Sequence, residues 1–237
     1  MTGVLELMEL AADELSLVRP TDITDVTDDP TALKLSRLLH RTCKQLAAEY
    51  DWARLRREHT FTTIAAETQT GAFPDDFLRF VNDSGWNRTR NNRLYGPVTS
   101  QEWQQTKGLN VNVAYQHFYV RGAALLITPT PEAGDTIAFE YITKNIGADL
   151  SGSNELANFV SDDDTAFFDD ELVILGMVWR YRKSEGLDYL EEFREYQMRR
   201  ANMIKADGGR RMLDMNNPSI ERPANVTGGN IVDLTTI

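Results

Sequence analysis

The chain has 237 residues, of which 36 are acidic and 25 basic, and its formal net charge is −11. Its 41% hydrophobic content is enough for a folded core, and no apolar run is long enough to span a bilayer. A single cysteine, Cys43, excludes an intramolecular disulfide and a cysteine-rich metal site. Proteins that grip DNA usually present a basic face, so the acidic balance argues against tight DNA binding.

Two helices are predicted near the N-terminus. Apolar residues recur at helical spacing over residues 3–17. A second helix is expected over residues 30–50, with Asp29 as its cap and Pro30 in its first position. Cys43 lies near the apolar stripe of that helix, which favours a small buried residue over a nucleophile.

The middle of the chain changes to strand patterns. Alternating or β-branched segments predict strands at residues 59–64, 77–81, 93–95 and 113–120. A helix interrupts them over residues 101–106, where Thr99 and Glu102 fit a capping box and Gly108 is a natural end. The segment LLITPTPEAGDTIAFEYITK (residues 125–144) predicts one β-hairpin with a Pro/Gly-rich turn.

Helices return after an acidic stretch. Residues 147–165 are polar and acidic, so a loop is expected there. Apolar residues then recur at helical spacing, and Gly186 fits a cap. Residues 187–205 are predicted to form a second helix or the far side of a kink in the first. The apolar face of that second helix is predicted to consist of Leu190, Phe193 and Tyr196.

The main group of carboxylates lies between Asp162 and Glu171. Such groups can work as acid and base, as in a virion-associated cell-wall hydrolase, or they can cap the helix that follows. Capping is the simpler interpretation. The histidines His40, His59 and His117 show no metal-ligand spacing, and His40 is expected to be exposed. With no nucleophile elbow or nucleotide-binding motif, we predict no catalytic, cofactor or metal site.

Two segments are candidates for contacts with other proteins. The predicted hairpin tip NRTRNN (residues 87–92) contains Arg88 and Arg90, and Trp86 precedes it. Trp and Arg dominate interface energetics, so the tip is either an arm that contacts another subunit or the tail, or a solvated turn. The chain ends in an alternating segment that either adds a strand to a partner or forms a disordered end. The contact residues assigned to it are Ile231, Val232, Leu234 and Ile237.

Five segments carry a family resemblance. They are RLLHRTCKQLAAEYDWARLRREHTFTT (37–63), FPDDFLRFVND (73–83), RLYGPVTSQEWQQTKG (93–108), LLITPTPEAGDTIAFEYITKN (125–145) and DDELVILGMVWRYRKSEGLDYLEEFREY (169–196). Together they cover most of residues 37–200. The chain resembles the head-to-tail adaptor proteins of tailed bacteriophages, the small ring formers that bind beneath the portal.

The resemblance implies an α+β fold. A helical bundle from the N- and C-terminal arms would carry an inserted antiparallel β-lobe and an extended tail. The expected units are an N-terminal helical arm (1–55), a β-rich lobe with a short helix (56–146), an acidic loop with the C-terminal helical arm (147–206), and the tail (207–237).

The resemblance also implies a non-enzymatic structural protein of the phage neck, made in the host cytoplasm and without a membrane partner. Members form rings, usually dodecamers, that join the portal to the tail or nozzle. Double-stranded DNA passes through the ring without specific binding. By this analogy residues 207–237 reach the portal and the β-lobe faces the tail or nozzle. A tail-tube or tail-completion protein is the alternative.

Overall fold

The computed structural model describes residues 2–23, 30–108 and 115–208. These residues form an α+β fold with five helices and a curled sheet. The helices are α1 (Val4–Glu14), α2 (Pro30–Glu49), α3 (Ser100–Gly108), α4 (Asp170–Ser184) and α5 (Leu190–Asp207). All five occur where the sequence pattern predicts helices. The predicted Asp29 cap and the start of the strand predicted at Val113 lie outside the described residues.

Helix α4 is the centre of the helical part, because α1, α2 and α5 all pack against it. Cys43 is fully buried in their shared core, as predicted, and burial raises the pKa of its thiol to about 12. The predicted apolar face of α5 is only partly correct. Tyr196 is buried and Phe193 packs against the core, but Leu190 is 57% exposed because it lies in the first turn of the helix.

Two predicted caps are confirmed. Gly186 has a φ of +72°, and the Leu187 N–H donates to the carbonyl oxygen of Arg182 at 2.9 Å, which closes α4 in a Schellman motif. At the start of α3, the Thr99 N–H donates to Oε2 of Glu102 at 2.8 Å, and the Glu102 N–H donates to Oγ1 of Thr99 at 3.3 Å. These reciprocal bonds form the capping box.

Eleven short strands lie in two sheets of the described chain. The strands of the larger sheet are β1 (Arg56–Thr62), β2 (Thr68–Gln69), β3 (Phe77–Phe80), β4 (Trp86–Asn87), β5 (Asn92–Tyr95), β6 (Gln116–Arg121), β7 (Ala124–Thr128) and β8 (Thr136–Thr143). Their order is β1-β8-β4-β5-β6-β7-β2, and β3 also pairs with β8. These strands and α3 are called the β-lobe below.

The family resemblance implied an antiparallel β-lobe, but the lobe is not purely antiparallel. Strands β5 and β6 pair in parallel, with Leu94 opposite Gln116 and Tyr95 opposite His117. Parallel neighbours need a crossover connection, and α3 lies in the connection between these two strands. The sheet is therefore mixed.

The single hairpin predicted over residues 125–144 is wrong. Both strands exist, but β7 pairs with β2 and β6, whereas β8 pairs with β1, β3 and β4. Leu125 of β7 and Ile137 of β8 belong to the same buried hydrophobic cluster in the core of the lobe. Pro129 and Pro131 in the connection have no N–H to donate, and both edges of β8 are taken by strands from elsewhere in the chain.

Residues 147–165, predicted as a loop, are mostly turns and irregular backbone, but they also contribute short strands to a small sheet. Its strands are β9 (Gly147–Ala148), β10 (Glu155–Leu156) and β11 (Thr165–Ala166), in the order β10-β9-β11. Strands of two residues carry no readable alternation, so the acidic composition suggested a loop. The sheet contacts the start of α1, where the Val4 N–H donates to the carbonyl oxygen of Asp164 at 2.8 Å.

Gly176 allows three helices to approach closely. A Cβ on Gly176 of α4 would lie 2.4 Å from Cγ2 of Thr42 on α2 and 3.3 Å from Cε2 of Tyr196 on α5. Real Cβ atoms essentially never show a contact of 2.4 Å, so a side chain at this position forces α2 and α4 apart.

We expect Gly176→Ala to lower the free energy of unfolding by about 1–3 kcal/mol, because overpacking outweighs the better helix propensity of alanine. Urea denaturation measures the change. Thr42→Ser removes the clashing methyl group and keeps the hydroxyl that donates to the Leu38 carbonyl oxygen at 2.8 Å. The same glycine substitution in a Thr42→Ser background should therefore cost much less. An equal cost in both backgrounds would contradict the packing explanation.

Candidate functional site

The NRTRNN tip joins β4 to β5, and a buried polar network ties it to the β-lobe. Asn87 is fully buried, and its Nδ2 donates to Oδ2 of Asp135 at 3.0 Å and to Oε1 of Gln116 at 3.2 Å. Nε of Arg90 donates to the same Asp135 oxygen at 2.6 Å. The Asp135 N–H in turn donates to Oγ1 of Thr63 at 3.1 Å. Because these buried polar groups satisfy one another, the tip has a fixed position on the lobe.

The three contact residues predicted around this tip have different surroundings. Arg88 donates to Oε1 of Glu58 on β1 at 2.8 Å. Arg90 pairs with Asp135, and that hydrogen bond raises the pKa of the Arg90 guanidinium. Trp86 is 42% exposed. The lobe's own carboxylates therefore hold both arginines, and Trp86 is the large apolar group that this region presents outward. The predicted contact residues of the tail lie outside the described residues: Ile231, Val232, Leu234 and Ile237.

The carboxylates of Asp162 and Asp164 accept hydrogen bonds from backbone amides. Asp164 is 3% exposed, and its Oδ2 accepts the N–H groups of Val160 at 2.7 Å and Ser161 at 2.8 Å. Oδ1 of Asp162 accepts the N–H of Ile23 at 2.8 Å. These contacts close the turn before β11 and hold the segment that follows α1.

Asp169 confirms the capping interpretation. Its Oδ1 accepts the N–H of Leu172 in the first turn of α4 at 3.0 Å, and Arg199 of α5 donates to both carboxylate oxygens at 2.9 Å. Loss of hydration alone would raise the pKa of Asp169. The hydrogen bonds from Arg199 and the Leu172 amide outweigh it and hold the pKa below its ordinary value. Asp169 thus caps one helix and ties it to the next.

The prediction that His40 is exposed is wrong. His40 is partly buried, its Nδ1 lies 2.8 Å from the Ser36 carbonyl oxygen, and its Nε2 lies 3.0 Å from the Phe159 nitrogen. A carbonyl needs a donor and an amide N–H needs an acceptor, so this arrangement assigns the proton to Nδ1. The error arose because Phe159, which is distant in the sequence, packs against His40 of α2.

Arg79 joins the β-lobe to the helical part, a role that no sequence pattern predicted. From β3 its guanidinium donates to the carbonyl oxygens of Ala47 and Tyr50 at 2.8 Å each, and to Oδ1 of Asp51 at 2.9 Å. The last carbonyls of a helix have no partner within it, and a cation there also suits the helix dipole. Beside this contact lies a groove of about 780 Å³, partly lined by Leu78, which is 41% exposed.

Arg180 is a second residue that joins two elements and was not predicted from the sequence. It is 5% exposed, and its guanidinium donates to the Gly176 carbonyl oxygen and to Oε1 of Gln45, both at 2.6 Å. The guanidinium carbon also lies 4.4 Å from the ring centre of Trp179. The signal was present, because Arg180 follows a long apolar stretch of α4. An arginine there crosslinks helices and is not a surface charge.

In the described part of the chain, no three His, Cys, Asp or Glu side chains gather so as to hold a metal ion. Within the same residues, none of the helices combines the length and the apolar character needed to cross a membrane.

We expect Asp169→Asn to lower the free energy of unfolding at neutral pH by about 1 kcal/mol, since asparagine still caps the helix but loses the charge pair with Arg199. A carboxyl group with a lowered pKa stabilises the fold above its unfolded pKa, which is about 3.9, and loses that effect as the pH falls through its folded pKa. The deficit of the variant should therefore shrink below about pH 4. Urea denaturation at neutral and acidic pH measures it. Asp163→Asn, at an exposed carboxyl, is the matched control, and a deficit independent of pH would contradict the assignment.

Comparison with known proteins gives a family. The SU10 adaptor protein family model matches residues 2–227. Among curated proteins, none is similar enough to count as a relative. The five segments that resembled phage adaptors all lie within the matched range. Because the match covers nearly the whole chain, this protein belongs to the SU10 adaptor family, a family of bacteriophage head-to-tail adaptors.

Proposed function

We propose that this protein forms a ring below the portal, links the capsid to the tail, and continues the channel through which DNA leaves the particle. The family match over residues 2–227 carries the proposal. The family implies a structural role and a place at the neck of the virion, where an adaptor interacts with portal and tail proteins. A ring of twelve copies would match the usual portal and would also serve during genome packaging.

A helical part and a β-lobe in one chain suit a protein that contacts different partners at its two ends. We propose that α1, α2, α4 and α5 form the helical bundle of residues 1–55 and 147–206, and that the β-lobe of residues 56–146 faces the tail or nozzle. Trp86 supports this orientation, because an exposed tryptophan on a fixed support is a typical interface residue. Arg88 and Arg90 would add polar contacts at the edge of the same surface.

The charge of the chain suits a channel. A surface that binds DNA tightly would slow its passage, whereas a net charge of −11 repels phosphates. We therefore propose that double-stranded DNA passes through without specific binding.

The tail of residues 207–237 is proposed to bind the portal. It leaves the helical part where Oδ2 of Asp207 accepts the Ala53 N–H at 2.8 Å. Its last seven residues alternate in the way that suits strand addition to a partner. The residues proposed to make that contact are Ile231, Val232, Leu234 and Ile237.

Deleting residues 209–237 is expected to abolish co-purification with the portal protein and to leave the fold intact, because Asp207 and its contact with Ala53 are kept. A full-length chain carrying Ile231→Asp and Leu234→Asp should show the same loss. Affinity capture with tagged portal measures both.

Trp86→Ala is the matched control, since it removes an exposed apolar group at the other proposed end and should retain portal binding. If the shortened chain and the double variant bind the portal as well as the wild type, the tail is not the portal contact.

A further inference from the structure

One exposed helix face in the helical part is strongly basic. Arg37, Arg41 and Lys44 are all exposed on α2, at positions i, i+4 and i+7. This spacing puts them on one side of the helix, opposite the buried stripe that includes Leu39 and Leu46. We call these three residues the basic face.

The basic face is not neutralised within one copy. In the described part of the chain, neither Arg37 nor Arg41 forms an ion pair, and Lys44 donates only to the amide oxygen of Asn158 at 2.7 Å. Burial lowers the pKa of the neighbouring Arg180, and the charge of Arg41 lowers it further. The largely buried Arg180 thus adds a fourth positive charge close to the basic face, although Tyr196 and the charge of Glu49 oppose the lowering of its pKa.

A second surface of the same chain is crowded with negative charge. Glu14 at the end of α1 lies near three carboxylates of α4 and α5, which are Glu171, Glu192 and Glu195. Loss of hydration raises the pKa of Glu14, and the charges of these carboxylates raise it further, against the opposing charge of Arg182. Arg199 pairs with Glu171 and Arg182 pairs with Glu192. No ion pair is seen for Glu14 or Glu195 among the described residues. We call these four glutamates the acidic face.

We propose that the basic face of α2 in one copy docks on the acidic face of the next copy. The two faces have opposite charge, lie on different helices and are not joined by an ion pair within the described chain. A contact between two different surfaces of identical chains repeats head to tail and closes into a ring when the rotation allows. The inference rests on the proposed ring and assigns the surfaces that meet in it.

Such a contact is expected to be weak and sensitive to salt. Exposed ion pairs contribute little each, and salt screens them. Like charges placed opposite one another cost several kcal/mol, so reversing one charge has a larger effect than removing it.

The test is a charge swap in the full-length chain. Arg41→Glu and Glu195→Arg should each weaken self-association at least about tenfold, as measured by sedimentation velocity at low ionic strength. The double variant carries both reversals, so attraction is restored between copies and association should recover. Both positions are exposed, and urea denaturation checks that the fold is unchanged. Lys205→Glu makes the same change of charge as Arg41→Glu, but at an exposed position outside both faces, and should associate like the wild type.

Several results would overturn the proposal. One is a wild-type chain that stays monomeric up to its solubility limit at low ionic strength. Another is a double variant that associates no better than the single ones. A third is an Arg41→Glu variant that loses binding to duplex DNA but keeps its self-association, which would make the basic face a nucleic-acid contact. Portal binding is measured separately, so each of these results would leave the proposed attachment to the portal standing.

Discussion

The contact of Arg79 with the end of α2 is the interaction on which the rest of the architecture depends. The chain leaves the helical part after α2, builds the β-lobe and returns at α4, so the lobe needs a firm connection to hold one orientation. Arg79 provides it by satisfying carbonyls that α2 leaves open and by pairing with Asp51. Apolar packing reinforces the joint, since Ile142 of β8 and the nearby Ile146 belong to the same buried core as the helices. The two parts are therefore joined by both polar and apolar contacts.

This construction suits an adaptor, which must hold two partners in a fixed relation. The arginines fall into two groups, those that bond to other elements of the same copy and those that stay exposed at the surface. Arg79, Arg180 and Arg199 each connect two elements of one copy. Arg37 and Arg41 have no ion-pair partner in the described chain and remain available to another molecule. A similar separation holds for carboxylates, since Asp164 and Asp169 bind groups of their own chain whereas Glu195 forms no ion pair among the described residues.

The elements that were predicted correctly are those whose formation depends on residues close together in the sequence. The helix α2 follows from its leucine spacing, the α3 cap from Thr99 and Glu102, and the end of α4 from Gly186. The failures concern distant partners. Periodicity identified β7 and β8 as strands but could not say that each pairs with other strands. The two-residue strands β9 to β11 are too short to show a pattern. His40 was misplaced because its partner Phe159 is 119 positions away. The role of Arg79 could not be predicted because its partners are carbonyl oxygens at the end of α2, about 30 positions earlier in the chain.

A reconstruction of the neck of an intact particle tests the proposed ring directly. We expect a closed ring of this fold between portal and tail, with the helical part and residues 209–237 on the portal side, the β-lobe towards the tail, and the DNA channel through the centre. The same map would show whether the basic face of α2 meets the acidic face of the adjacent copy. Finding this protein remote from the portal, or as isolated copies that enclose no channel, would contradict the account.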